Sequence, residues 1–386
     1  MPALPALLAK ADELAGWRRD LHAHPELAFR EHRTADTVER RLRAFGVATH
    51  RVTETGVVGL LEGARPGPGR LGLRADMDAL AMEERTGLPY RSTHPGAFHG
   101  CGHDGHTTML LAAARHLSET RDFAGAVRFI FQPAEEGSAG AKAMVEAGLF
   151  ERFPCDAVYG LHNWPGLPRG HVAVRPGPMM ASADQFDVLL TASGGHAAMP
   201  HQCTDPVVAA AHIVTALQTL VSRRADPADA AVVSVTRVEA GSAYNVIPET
   251  ALLRGTVRSL RPETRDALEA GVRQIAVGVG AALGVSATVD YRRGYPSTVN
   301  DEGPAAVIAR VASDVVGAER VHTDRPPSMG AEDFAFLLQA CPGAYFWLGA
   351  EGREGCGLHH PGFDFDDALL PIGATLWVRL VETELS

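Results

Sequence analysis

The stretch Gly100-Cys101-Gly102-His103-Asp104-Gly105-His106 constrains this chain more than any other. It crowds a thiol, two imidazoles and a carboxylate among three glycines. Glycine lets a backbone approach closely and adopt positive φ. Thiolate and imidazole together favour a transition metal such as zinc. Such a loop needs a scaffold that supplies further ligands and a base from elsewhere in the chain. Asp104 is placed to cap a long apolar helix from Thr107 to about Ser118.

The chain has 386 residues, which suggests about two to three domains. Hydrophobic residues are 46% and charged ones 21%, the balance of a globular protein with a sizeable core. A formal charge of −10 and the lack of any basic block give no support to a nucleic-acid partner or a membrane surface. No run approaches the ~20 apolar residues of a membrane span. Lys10, Asp12, Glu13, Arg18, Arg19 and Asp20 leave too short an apolar core for a signal peptide. Cys101, Cys155, Cys203, Cys341 and Cys356 are odd in number and scattered, so reduced thiols in a cytoplasm are expected.

Helical spacing covers 4–22 and 31–45, followed by short β-rich runs near 47–52, 57–61 and 70–75. Then come a strand at 126–131, a helix at 139–149 and a strand at 156–161. Strand and helix alternate, which implies an α/β domain with a mostly parallel sheet flanked by helices. From about 184 the rhythm changes to β-α-β-β-α-β, with strands at 185–191, 231–239, 249–259 and 286–292 and helices at 205–224 and 262–283. That order is the signature of a small ferredoxin-like α+β module. After Pro296 long helices return at 302–317, 331–340 and 366–384, around a strand at 344–349. The reading is therefore a discontinuous domain, 1–181 with 295–386, interrupted by a module at 182–294. The joins are turn-rich, near Gly177–Pro178 and Gly294–Pro296.

Chemistry-bearing residues recur where strands end. Leu73-Arg74-Ala75-Asp76-Met77-Asp78 closes one strand with two acids; a solvated turn with a helix cap is the plainer reading of that stretch alone. Gln132-Pro133-Ala134-Glu135-Glu136-Gly137 closes another. Adjacent carboxylates repel unless something positive lies nearby, and a metal would let one ligate while the other acts as a general base. His162 closes a third strand, and His359 and His360 stand in a C-terminal loop. In the inserted module, Gly194-Gly195-His196 and Tyr244-Asn245-Val246 read equally well as hairpin loops. There is no GxSxG elbow, Walker loop or HExxH helix.

These segments together resemble the dinuclear metallopeptidase family that includes hippurate hydrolases, bacterial aminoacylases and auxin-conjugate amidohydrolases. The matching stretches are LRADMDAL, HGCGHDGHT, FQPAEEG, YGLHNWP, GGHAAMPH, YNVIPE, MGAEDFAF and LHHPGFDFDD, in the family's order from Leu73 to Asp367. The resemblance implies two divalent ions per subunit held by Cys101, His103, Glu136, His162 and His359. Zinc is favoured, with manganese, cobalt or nickel open. The spacing to Pro361 favours His359 over His360. Glu135 matches the general base, and His196 a histidine of the lid module that reaches towards a substrate carbonyl. Asn245 matches a substrate-binding position. Asp76 and Asp78 match strand-end acids that stand behind the ligands, since Cys101 supplies one. The module at 182–294 is implied to serve as lid and to join a homodimer, with a tetramer possible.

The activity implied is hydrolysis of a small N-acyl or N-aroyl amino acid to a carboxylate and a free amino acid. Asn245, Arg292 and Arg293 are candidates to receive the substrate carboxylate, surface salt bridges being the equal alternative for the arginines. A dipeptidase or carboxypeptidase would share the metal chemistry. A non-catalytic metal-binding relative would have lost the base, and Glu135 is present. A redox-sensing thiol at Cys101 fits poorly among so many ligand-type residues.

Overall fold

A computed structural model describes residues 3–351 and 355–386. The chain divides into two compact units. One comprises residues up to Met179, Val299–Pro326 and Asp333–Ser386; the other comprises Met180–Thr298 and Pro327–Glu332. The short return 327–332 has no sequence signature, being a turn-rich stretch between two pieces of the first unit.

The first unit is built on an eight-stranded sheet. Its spatial order is Ala48–Arg51, Val57–Glu62, Ala124–Gln132, Arg65–Asp76, Ala157–Pro165, Gly343–Ala350, Val172–Ala173 and Val321–His322. The central four strands run parallel, while Ala48–Arg51, Val57–Glu62 and Val172–Ala173 join antiparallel. The central strands are buried almost throughout, which is why they read as continuous apolar runs and not as alternation. Helices Ala11–Ala23, His103–Thr120 and Leu370–Glu384 pack on one another and on this core. Strand Arg65–Asp76 lies between Ala124–Gln132 and Ala157–Pro165, so the chain crosses first to one side of it and then to the other. The crevice beyond the carboxyl ends of such strands is where α/β sheets bind ligands.

Three local expectations change. The helix after the glycine-rich loop begins at His103, not Thr107, and its N-cap is Gly102 in the left-handed region at φ 95. A side chain there would meet the Asn163 amide at 2.2 Å from Cβ. Asp104 therefore sits inside the first turn, where it accepts from its neighbour Gly105 N at 2.9 Å and is not the cap. The expected helix 331–340 is confined to Ala335–Ala340. The expected helix 139–149 spans Gly140–Glu146.

The second unit is a four-stranded antiparallel sheet in the order Ala231–Ala240, Thr250–Ser259, Asp184–Thr191, Ser286–Arg293. Helices Pro206–Thr219 and Pro262–Ala282 cover one face. Phe186, Val188, Leu190, Ala251, Leu253 and Val257 point inward against Ile213, Leu217, Val272 and Ala276, while their neighbours in sequence face out, as a pleated strand requires. Asp205 caps the first helix, accepting from Val207 N at 2.8 Å. Gly195–His196 pairs with Val246–Ile247 as a separate ribbon. Among the described residues, no helix is long and apolar enough to cross a membrane.

Candidate metal centre

The first unit gathers five ligand-type side chains from four segments. Cys101 and His103 come from the glycine-rich loop and the helix start, Glu136 from the turn after Ala124–Gln132, His162 from Ala157–Pro165, and His359 from the C-terminal loop. Cys101, His103 and His162 offer ligand atoms within 4.8 Å of one another, as do Cys101, Glu136 and His359, and also His103, Glu135 and Glu136. Cys101 Sγ lies 3.3 Å from His162 Nε2, and His359 Nε2 lies 3.3 Å from Glu136 Oε1. His360 is turned elsewhere; its Nδ1 accepts from Gly362 N at 3.0 Å. The His359 backbone is held at φ 63 and pinned to the glycine-rich loop through His359 N and Gly100 O at 2.8 Å.

The imidazoles are oriented from behind. His103 Nδ1 meets the Asp78 carbonyl at 2.9 Å, and His162 Nδ1 meets the Asn163 carbonyl at 2.6 Å. Both Nε2 atoms are thereby turned to the centre. Carbonyls and carboxylates behind ligand histidines fix ring orientation in this way. His103 Nε2 and Glu136 Oε1 are buried without a hydrogen-bond partner. Two buried polar atoms without hydrogen bonds in one cluster are costly, and a divalent cation satisfies both. The donor set of thiol, carboxylate and imidazole fits a transition metal.

Charge in the metal-free protein tells the same story. Burial, then the carboxylates of Glu136, Glu135 and Asp76, hold the Cys101 thiol well above its usual range. Burial pulls the His103 imidazole down, but Asp76 and Asp78 overcome it and push it up to about 10. Burial, then His106, keeps His162 well below its usual range and so neutral.

Asp76 and Asp78 do different work. Asp76 Oδ1 meets His106 Nδ1 at 2.6 Å and its Oδ2 accepts from Arg74 Nη1 at 2.8 Å. Asp78 accepts from Glu135 N and Glu136 N, one on each oxygen, both at 2.9 Å. It therefore anchors the turn that carries the two glutamates. Glu135 is buried beside Glu136, and its Oε1 lies 3.4 Å from Asp333 N.

Arg74 and Glu31 of this centre carry no reading in the sequence, and His106 is read there only as one of the loop's two imidazoles. Arg74 is fully buried and donates to Gln132, Asp76 and Asp333. Its spacing of two from Asp76 along a strand puts both on one face, the available signal. His106 Nε2 meets Asn163 Oδ1 at 2.6 Å, and Ala134 N donates to Glu31.

His196, Asn245 and Arg293 belong to the second unit. His196 and Asn245 are exposed at the two-stranded ribbon, with Ala197 N donating to the Asn245 carbonyl at 3.1 Å. The Arg293 guanidinium is engaged by Glu269 at 2.7 Å and Asp266 at 2.8 Å, and Arg292 by Asp187 and Asp290. Surface salt bridges are thus what this geometry gives both arginines.

Comparison with known proteins bears on this centre. The profile of Peptidase family M20/M25/M40 matches residues 72–383. An N-acetylcysteine deacetylase of Bacillus subtilis is 40% identical over 95% of both chains. A hippurate hydrolase of Campylobacter jejuni is 38% identical over 98% of both. The crystal structure of a Bacillus subtilis protein described as a dinuclear metal-binding peptidase from the M20 family superposes with a TM-score of 0.85. It is 36% identical and covers 98% of this chain and 99% of that one. The profile spans most of the chain and includes every ligand-type residue of the centre, so the chain belongs to peptidase family M20/M25/M40.

Proposed function

We propose that this enzyme hydrolyses the amide bond of N-acyl or N-aroyl amino acids, releasing a carboxylic acid and an amino acid. The observation that carries the reading is the pair of carboxylates on one anchored turn. Glu136 faces the ligand cluster, while Glu135 stands beside it, buried. The relatives named for N-acetylcysteine and hippurate support amide hydrolysis as the reaction and an N-acyl amino acid as the substrate class.

Cys101, His103, Glu136, His162 and His359 would hold two divalent ions, with the Cys101 thiolate common to both triads. When bound, such ions polarise a carbonyl and lower the pKa of water. The donor set favours zinc, with cobalt, nickel and manganese as the other candidates. Glu135 accepts the proton of the attacking water and returns it to the leaving nitrogen, so one carboxylate serves as base and then acid. Asp78 keeps that carboxylate in place by fixing its backbone. His196 donates to the developing oxyanion and Asn245 to the substrate carboxylate. Five free cysteines support a reducing, cytoplasmic compartment.

The test is turnover by metal-reconstituted enzyme on N-acetyl amino acids, N-benzoyl amino acids and dipeptides. Preference for the first two groups is expected. Dipeptide turnover exceeding both would make it a dipeptidase, and no turnover on any would leave a binding protein.

A further inference from the structure

The turn after strand Ala124–Gln132 has an unusual backbone. Ala134 is left-handed at φ 56, Glu136 has ψ 84, and Gly137 is at φ 75. Left-handed alanine is strained, and such strain persists only where neighbours impose it. Here three successive N–H groups, of Ala134, Glu135 and Glu136, all donate to buried carboxylates. Asp78 takes the second and third. Glu31 takes the first, through Oε1 at 2.8 Å. The same oxygen accepts from Phe29 N at 3.0 Å, and Oε2 accepts from the Thr55 hydroxyl at 2.8 Å.

Glu31 is the N-cap residue of helix His32–Ala44, yet its side chain does not cap that helix. Glu26 does so instead, accepting from Arg33 N and Thr34 N at 3.0 and 2.8 Å. Glu31 is fully buried, and among the described residues no basic side chain pairs with it. Burying an unpaired carboxylate is costly unless hydrogen bonds hold it. Its three hydrogen bonds go to the strained turn, to Phe29 N and to the Thr55 hydroxyl.

We propose that Glu31 is a positioning residue for the reaction: its Oε1 grips the Ala134 N–H and so aims the Glu135 carboxylate. This rests on Glu135 being the general base.

Two substitutions separate the grip from the charge. In Glu31→Gln the amide oxygen still accepts from Ala134 and Phe29, and its NH2 donates to the Thr55 oxygen. Activity close to wild type is expected. Glu31→Met keeps length and removes the acceptor. Its kcat is expected to fall roughly 10- to 100-fold, the scale of a small misplacement of a reacting group, with KM and metal content unchanged. Wild-type kcat in Glu31→Met, or equal loss in Glu31→Gln, would overturn the proposal. If Glu31→Met does not fold, Glu31→Asp retracts the carboxylate from Ala134 and should show the same kcat loss. Glu135→Gln is assayed beside them. An active Glu135→Gln would sink the assignment of the base, whereas an inactive one beside fully active Glu31→Met sinks only the role of Glu31.

Discussion

At the scale of single residues, the proposed mechanism separates holding a metal from moving a proton. Glu135→Gln keeps shape and leaves Glu136 to ligate, but an amide cannot take a proton from water. Turnover should fall by ~10²–10⁴ with metal content intact; near-wild-type kcat at full metal loading would remove Glu135 from the mechanism. Cys101→Ser should do the reverse. A hydroxyl is a poorer ligand than a thiolate, which a metal deprotonates outright, so metal per chain after dialysis should drop. Unchanged metal would make Cys101 a buried structural thiol. The direction of the Cys101 and His103 shifts adds a third expectation. Both groups hold protons at neutral pH in the metal-free protein, and both must lose them to ligate. Metal binding should therefore release protons and strengthen as pH rises. Calorimetry in buffers of different ionisation enthalpy measures this, and a heat independent of buffer would contradict it.

At the scale of elements, helix Ala11–Ala23 is locked to helix His103–Thr120 by a buried ionic cluster behind the ligands. His22 Nδ1 lies 2.8 Å from Asp104 Oδ2. Arg18 reaches Asp104, Asp364 and Asp367 at 3.5, 3.1 and 2.7 Å, and Tyr90 donates to Asp364 at 2.7 Å. Burial pulls His22 down, but hydrogen bonds with Asp104 and Glu84 outweigh it and push it up to about 9. The folded value lies above the ordinary ~6.5, so the folded state binds the extra proton. Its stabilisation is full below pH ~6.5 and is lost as pH rises through about 9. The stability gap between wild type and His22→Gln should narrow over that window; a gap constant from pH 6 to 10 would show that His22 carries no linked proton. This cluster also marks where the sequence stops being legible. Cys101 and His359 stand in loops, and His103, Glu136 and His162 lie at or near element ends, beside glycines and prolines that mark them in the sequence as ligand-type residues. Asp78 was readable as an acid, but its partners are backbone groups 57 and 58 positions away. Glu31 and Arg18 sit in helical patterns of charged residues, where solvation is the ordinary expectation. Only the packing of distant segments turns them inward. Asp104 is not the cap for a related reason: Gly102, two positions before it, has left-handed backbone and no room for a side chain beside Asn163, and it starts the helix earlier than the apolar spacing does.

At the scale of the whole molecule, the proposed mechanism draws on both units. The first contains the ligand-type cluster and Glu135, the proposed base. The second contains His196 and Asn245 on an exposed ribbon, beside Tyr244, which is fully exposed, and Val246, which is 53% exposed. The four-stranded sheet leaves Ala231–Ala240 and Ser286–Arg293 as edges, and pairing between two copies is one way to cover an edge. A homodimer joined through this unit is therefore expected, and light scattering that gave a monomer at micromolar concentration would count against it. The functional consequence is sharper. An imidazole aimed at a developing oxyanion is worth ~10²–10³ in rate, so His196→Ala should lower kcat by that order with metal content unchanged. If the partner subunit delivers His196, two crippled chains should complement each other. Mixing Glu135→Gln with His196→Ala under conditions of subunit exchange creates one site holding both an intact base and an intact histidine. Activity above that of either variant alone is expected. Loss in His196→Ala without recovery on mixing would place the histidine in its own chain's site. Wild-type kcat and KM in His196→Ala would leave the ribbon with no part in the chemistry.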